Sequence, residues 1–330
     1  MRYQTAENVN DGHAFLEIND FIKNNSVHVK IENMNPGGSI KIKTAIALIN
    51  AAEKNLGLKE KKNVIESSSG NLGIALSIIC AARQYKFTCV ADKNTLPHTI
   101  KVMKAYGAEV IVIDKPDPER GYLGGRLNYI RKRLISDNSL VWTNQYESLA
   151  NRDAHANLTA RELLNEFPNI DYLFIAAGTA GTLMGCVKTI TEESPATKII
   201  AVDTKGSVIF GTPPAPRYIP GMGASVPPPL FDSKDLFDMV QVSEIDTVQT
   251  CRSVARRYGF LAGGSTGTVL TAIQEYSHKI PAGSVVVMIS PDGGERYIDT
   301  IYSDEWCQQK GLLSLNELSR CDAFSGAIAE

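Results

Sequence analysis

The sequence predicts an α/β protein with largely parallel, twisted sheets, and three observations carry that prediction. Between residues 63 and 143, and again from 172, short apolar runs alternate with stretches of helical period. Strands separated by helices of that length pair in parallel through right-handed crossovers. Glycine-rich stretches follow several of the apolar runs, at the strand ends where an open α/β sheet keeps its ligands. Finally, 330 residues with 43% hydrophobic content supply enough material for more than one core.

Taken in order, the first 25 residues are mixed and polar, and 26–32 (Ser-Val-His-Val-Lys-Ile-Glu) alternates apolar with polar as a half-exposed strand does. Asn35-Pro36-Gly37-Gly38-Ser39-Ile40-Lys41 is a turn that delivers one lysine to a helix start. The helix over 44–56 carries Ala45, Ile46, Leu48, Ile49 and Ala52 at helical spacing and closes at Gly57. Strands follow at 63–66, 87–91, 109–113 and 140–143, separated by helices ending near 83 and spanning 96–106 and 121–134. A helix at 153–167 leads to strand 172–177, helix 183–191 and strand 198–202. Proline and glycine dominate 211–230, which reads as a long surface or lid loop. Helices at 247–258 and 267–276 flank a second glycine-rich stretch, 284–289 is a last strand, and the tail after about 309 is polar and peripheral. The division that follows is a small mobile domain, 35–143, set into a large one made of 1–34 plus 144–330.

A net charge of −2 argues against a nucleic-acid polyanion as partner. No apolar run approaches the roughly 20 residues of a bilayer span. The opening residues mix charges without an export-type apolar core, so a cytoplasmic protein without membrane partner is expected. Cysteines 80, 89, 186, 251, 307 and 321 and the five histidines share no metal-ligand spacing, so neither a metal nor a disulfide is expected.

Three stretches carry chemistry. Lys41 follows a tight turn that can aim its amine into a loop-lined cleft. Gly178-Thr179-Ala180-Gly181-Thr182 opens a helix, and its small residues, two hydroxyls and helix dipole suit a phosphate. Ser67-Ser68-Ser69-Gly70-Asn71 opens another and offers hydroxyls and N–H groups to a carboxylate, with the Asn71 amide available to a phenolate oxygen. No G-x-G-x-x-G fits the glycine spacing near 178, which disfavours a nicotinamide enzyme.

Five ordered motifs are similar to those of the cysteine synthase and cystathionine β-synthase family. They are Asn35 to Lys41, Ser68-Ser69-Gly70-Asn71-Leu72-Gly73, Gly178 to Thr182, Gly263-Gly264-Ser265-Thr266-Gly267 and Gly294-Glu295-Arg296-Tyr297. The resemblance implies pyridoxal 5'-phosphate as cofactor and the tryptophan synthase β-like fold (fold type II), two interleaved three-layer domains, usually as a homodimer. By the same resemblance Lys41 would carry the cofactor covalently and move the substrate's α-proton, Asn71 would bond its 3′ oxygen, and Gly178, Thr179, Ala180, Gly181 and Thr182 would bind its phosphate. Ser68, Ser69 and Gly70 would take the substrate carboxylate. Segments 203–211, 219–225 and 302–306 resemble the siderophore branch of the family. That branch joins O-phospho-L-serine and L-glutamate, by β-replacement through an aminoacrylate, into N-(2-amino-2-carboxyethyl)-L-glutamate, the precursor of 2,3-diaminopropionate. The alternatives are a sulfhydrylase or cystathionine β-synthase using acetylserine or phosphoserine, and a non-catalytic binder that keeps the fold.

The sequence departs from the family pattern in three places. Gly12-His13-Ala14-Phe15 stands for a Gly-x-Thr-Pro turn, Ile42-Lys43 for the Asp-Arg after the lysine, and Pro291-Asp292-Gly293 for a loop whose serine faces the pyridine nitrogen. Ser265 is therefore assigned to that nitrogen, with Asp292 as the alternative. A phosphate leaving group and a glutamate nucleophile need further cations and donors. Arg126 and Tyr146 are the candidates, with Arg217 a weaker third.

Overall fold

The computed structural model describes Thr5, Val9 and residues 14–313. Most of the amino-terminal segment through Gly12-His13, and the tail beyond 313, lie outside the described residues.

The chain opens with an antiparallel hairpin of β1 (Phe15–Ile22) and β2 (Asn25–Ile31). Sequence reading missed β1, because its apolar positions are out of step: the register shifts between Ile18 and Ile22, where Asp20 adopts φ 56°. Next comes α1 (Lys41–Asn55), which starts at Lys41 itself, three residues before the apolar spacing begins. After the one-turn α2 (Leu58–Lys61), four strands and three helices alternate. They are β3 (Asn63–Ser67), α3 (Asn71–Ala82), β4 (Lys86–Asp92), α4 (Pro97–Ala105), β5 (Glu109–Ile113), α5 (Gly121–Ser136) and β6 (Leu140–Trp142). All four strands pair in parallel in the order β5-β4-β3-β6, and α1 and α3 share one apolar core on this sheet through Ile42, Leu48, Ile49, Ile74 and Leu76.

The helix expected over 153–167 is three pieces: α6 (Leu149–Ala154), a π-helical turn (His155–Thr159) and α7 (Ala160–Glu166). β7 (Tyr172–Ala176), α8 (Gly181–Glu193), β8 (Lys198–Thr204), β9 (Asp238–Val242), α9 (Glu244–Tyr258), α10 (Gly264–Tyr276), β10 (Val286–Ser290) and α11 (Asp304–Gln309) complete the described chain. Sequence reading also missed β9, an edge strand with only Val242 buried and Met239 exposed, too short and too wet for a periodic signal.

The second sheet runs β1-β2-β10-β7-β8-β9, parallel except for β1. Every residue of β10 is buried, as expected of a strand covered on both faces. One face packs on α10 through Val269, Leu270 and Ile273, the other on α8 through Leu183, Val187 and Ile190. The loop between β8 and β9 has no regular structure over 211–230, as its prolines and glycines foretell. Among the described residues no helix is long and apolar enough to cross a membrane.

Candidate active site

The lysine turn is built for a close approach. Gly37 and Gly38 have φ of 75° and 67°, which side-chain-bearing residues rarely adopt. Just beyond them, Ile40 N–H donates to the Pro291 carbonyl at 2.8 Å and Ser39 bridges to Asp292, so the start of α1 lies directly on the loop after β10. Burial pushes the Lys41 amine down from 10.5 to about 8, and the Asp292 carboxylate pulls partly the other way.

Two residues on, Lys43 takes part in a fully internal charge cluster. Its Nζ stands 2.8 Å from Glu32 Oε1 and 2.5 Å from Glu162 Oε2, while Lys30 Nζ reaches the same two oxygens at 3.4 and 3.0 Å. Two cations meet two carboxylates, so the Ile42-Lys43 departure buries a charge that is compensated on the spot.

Asn71, the first residue of α3, is oriented by two neighbours. Its Nδ2 donates to Asp292 Oδ2 at 2.7 Å, and its Oδ1 accepts from Arg296, which also donates to the Gly37 carbonyl. Tyr297 Oη donates to the same Asp292 oxygen at 2.6 Å, while Asp292 Oδ1 is buried without a hydrogen-bond partner among the described residues. Since an amide nitrogen has two hydrogens, Asn71 keeps one donor for a ring oxygen. Burial raises the Asp292 carboxyl, and Tyr297 and Asn71 oppose it by bonding the ionised form.

The 178–182 stretch turns from β7 into α8, with Ala180 in the left-handed region at φ 65°. A Cβ on Gly181 would run into the Asn151 amide, so only glycine lets the loop settle there. Gly178 is approached by the Gly221 carbonyl, 3.4 Å from where a Cβ would sit, which brings the 219–225 segment against the 178–182 turn.

The serine loop divides its labour. Ser68 Oγ accepts from Gly73 N–H at 2.9 Å and from Gly70 N–H at 3.3 Å, so this hydroxyl is used within the loop, beside the start of α3. Ser69 is half-buried, and among the described residues no group claims its hydroxyl. The Ser68 hydroxyl is thus engaged inside the loop and the Ser69 hydroxyl is not. Beneath the loop, the Glu66 carboxylate accepts from Thr143 Oγ1 (2.6 Å), Ser67 N–H (2.7 Å), and Gln145 N–H and Trp142 Nε1 (each 3.1 Å).

Arg126 is not a surface residue of α5: it is 7% exposed and sits at the end of β4, Nε 3.3 Å from Asp92 Oδ2. That spacing is an ion pair without an aligned hydrogen bond, so among the described residues Nε–H has no acceptor. Burial raises the Tyr146 phenol, and the Arg126 charge opposes the rise. Arg217, by contrast, is held within its own loop by the Met222 carbonyl and Ser225 Oγ. Ser265 lies in the first turn of α10, not in a loop, and is 3% exposed.

A family model of pyridoxal-phosphate dependent enzymes matches residues 15–292. This chain is one of them. Among solved structures, O-ureido-L-serine synthase is 27% identical with a TM-score of 0.84, covering 92% of this chain and 98% of its own. The O-acetylserine dependent cystathionine β-synthase of Helicobacter pylori gives the same identity and TM-score over 92% of this chain and all of its own. A hydrogen sulfide-producing enzyme of Fusobacterium nucleatum is 30% identical with a TM-score of 0.83, over 90% and 100%. The fold is type II, and the protein is a pyridoxal-phosphate dependent β-replacement enzyme of the cysteine synthase group.

The residues present fit that cofactor. A buried amine with lowered proton affinity suits bonding to an aldehyde, the 178–182 turn stands at the head of a 13-residue helix whose N-terminus favours a phosphate, and Asn71 has a spare donor. Two polar residues that sequence reading passed over, Asn151 and His155, are fully buried under these loops. Neither belongs to a glycine-rich stretch, and only their spacing of four on one helix could have drawn notice.

Proposed function

We propose that this enzyme joins O-phospho-L-serine and L-glutamate to give N-(2-amino-2-carboxyethyl)-L-glutamate and phosphate. The observation that carries the reading is Arg126, a buried guanidinium at the carboxyl end of β4 whose one ion-pair partner among the described residues is Asp92. A phosphate leaving group needs such a charge, and Tyr146 is assigned as a further donor to it.

Bound pyridoxal phosphate supplies the electron sink that makes the α-proton of an amino acid removable. The protein does the rest. The Lys41 amine, its proton affinity lowered by burial, takes the proton from Cα. The Cβ–O bond breaks with its electron pair going to phosphate, which Arg126 and Tyr146 receive. The amine of glutamate then forms the new Cβ–N bond and gives up a proton, and Lys41 returns a proton to Cα. Ser69 and the N–H groups of 69–71 hold the α-carboxylate, and Gly178 to Thr182 hold the cofactor phosphate. Ser265 faces the pyridine nitrogen, with Asp292, whose Oδ2 is taken by Asn71 and Tyr297, as the alternative.

A second reading, with sulfide or a thiol amino acid attacking acetylserine, draws support from the Helicobacter and Fusobacterium relatives. Offering phosphoserine or acetylserine, each with glutamate or sulfide, and identifying products by mass spectrometry tests both. Formation of the glutamate adduct from phosphoserine supports the proposal, and sulfide incorporation from acetylserine alone sinks it. Loss of the cofactor's near-visible absorbance band in Lys41→Ala separates an enzyme from a passive binder.

A further inference from the structure

The helix between the two sheets carries Asn151 in α6 and His155 in the π-helical turn, both wholly buried. A π turn inside an α-helix often marks a functional position. Asn151 Nδ2 donates to the Gln145 carbonyl at 2.9 Å and lies 3.4 Å from Thr179 Oγ1, and its Oδ1 accepts from Thr44 Oγ1 at 3.2 Å. His155 Nε2 stands 3.0 Å from Thr44 Oγ1 and 3.2 Å from Thr182 Oγ1, and its Nδ1 is 3.0 Å from Thr159 Oγ1. Gln145 in turn donates from Nε2 to the Ser67 carbonyl at 2.7 Å. Two side chains therefore touch the lysine helix through Thr44 and the phosphate loop through both its threonines, and reach the serine loop through Gln145.

The proton inventory can be assigned along this chain. A carbonyl only accepts, so the Gln145 contact fixes the Asn151 amide with nitrogen toward Gln145 and Thr179 and oxygen toward Thr44. Thr44 then spends its single hydroxyl proton on Asn151, so toward His155 it can only accept. His155 must carry its proton on Nε2, shared between Thr44 and Thr182, and its Nδ1 accepts from Thr159. Burial, with Lys41 and Lys43 nearby, holds the imidazole well below its usual range and hence neutral, as one N–H and one lone pair require. Thr179 and Thr182 are both acceptors on their inner side. Each keeps its hydroxyl proton for the loop's outer side.

We propose that Asn151 and His155 are positioning residues that turn the Thr179 and Thr182 hydroxyls into donors toward the cofactor phosphate and tie that loop to the helix bearing Lys41. The proposal rests on the reading that residues 178–182 hold a phosphate. Its specific content is the direction of two hydroxyl protons, which a role in packing alone does not fix.

The test compares retention of pyridoxal 5'-phosphate and of pyridoxal, which lacks the phosphate, by the parent enzyme and by His155→Leu, His155→Gln and Thr182→Val. Gln places an amide N–H where the imidazole has its own. Expected are about tenfold weaker retention of the phosphorylated cofactor in His155→Leu and Thr182→Val, unchanged binding of pyridoxal, and recovery to within about threefold in His155→Gln. The phosphorus resonance of bound cofactor should shift in the same two variants. Equal loss for both ligands, unchanged retention in His155→Leu, or no rescue by Gln overturns the proposal. If His155→Leu does not fold, Thr182→Val and His155→Gln decide it, since the first must lose phosphate-specific affinity and the second must keep it. A parent enzyme that binds pyridoxal as tightly as its phosphate ester would instead overturn the phosphate-loop reading itself.

Discussion

Without its cofactor, Lys41 should behave as an amine titrating near pH 8, although a free lysine titrates at 10.5. The structural cause is loss of water around Nζ, moderated by Asp292. At pH 7.5 a group of pKa 8 is about one quarter unprotonated against about one in a thousand for an ordinary lysine, roughly a 240-fold gain in reactive amine. The same shift bears on stability. Below pH 8 both folded and unfolded chains hold the proton, and the folded state bears the full cost of about 3 kcal/mol. That cost is relieved as pH rises from 8 to 10.5 and is gone above it, so apoprotein stability should climb across that window. Competitive labelling with acetic anhydride, read by peptide mass spectrometry with exposed Lys59 as internal reference, follows Lys41 directly. A labelling midpoint at or above 10, or no rise in denaturant midpoint between pH 8 and 10, would refute the desolvation argument.

Other perturbations have equally definite outcomes. Asp292→Asn removes the one group that raises the Lys41 amine, so the labelling midpoint should fall below 8 while Asn71 keeps an acceptor for its Nδ2. Lys43→Met leaves Glu32 and Glu162 with one cation between them and should cost about 3–5 kcal/mol in urea unfolding. In Arg126→Ala, turnover of phosphoserine should be abolished with the cofactor's absorbance intact, and unchanged turnover removes Arg126 from the site. Gly181→Ala forces a methyl into the Asn151 amide and should weaken cofactor retention, with about 1–3 kcal/mol lost in thermal unfolding.

What was legible in the sequence were features governed by local physics. The parallel units from 63 to 142 came through because apolar period and glycine stops are short-range, and the strand at 109–113 was placed to the residue. The loops at 67–71 and 178–182 stood out as helix openings rich in glycine and hydroxyls, and the turn at 35–41 by its Pro-Gly-Gly ahead of a lysine. Strands β1 and β9 were not: one is broken by a bulge and the other lies half in water at a sheet edge. The site shows the same divide. Lys41 and Asn71 could be named from motifs, but the capture of the Ser68 hydroxyl within its own loop, the burial of Arg126 against Asp92 and the meeting of Thr44, Asn151, His155 and Thr182 join positions up to 138 apart, which no local pattern reports.

The strand order of the larger sheet sets a timetable for making the protein. β10 pairs with β2 on one side, Val286 opposite Val27, and with β7 on the other, so the sheet is closed by nearly the last strand to leave the ribosome. The smaller sheet is contiguous from 63 to 142 and can assemble as soon as it emerges. The hairpin of β1 and β2, made first, must wait for a partner some 260 residues away, a search whose loop-closure cost slows folding. During that interval the unpaired edges of β2 and β7 offer a foreign strand the place reserved for β10.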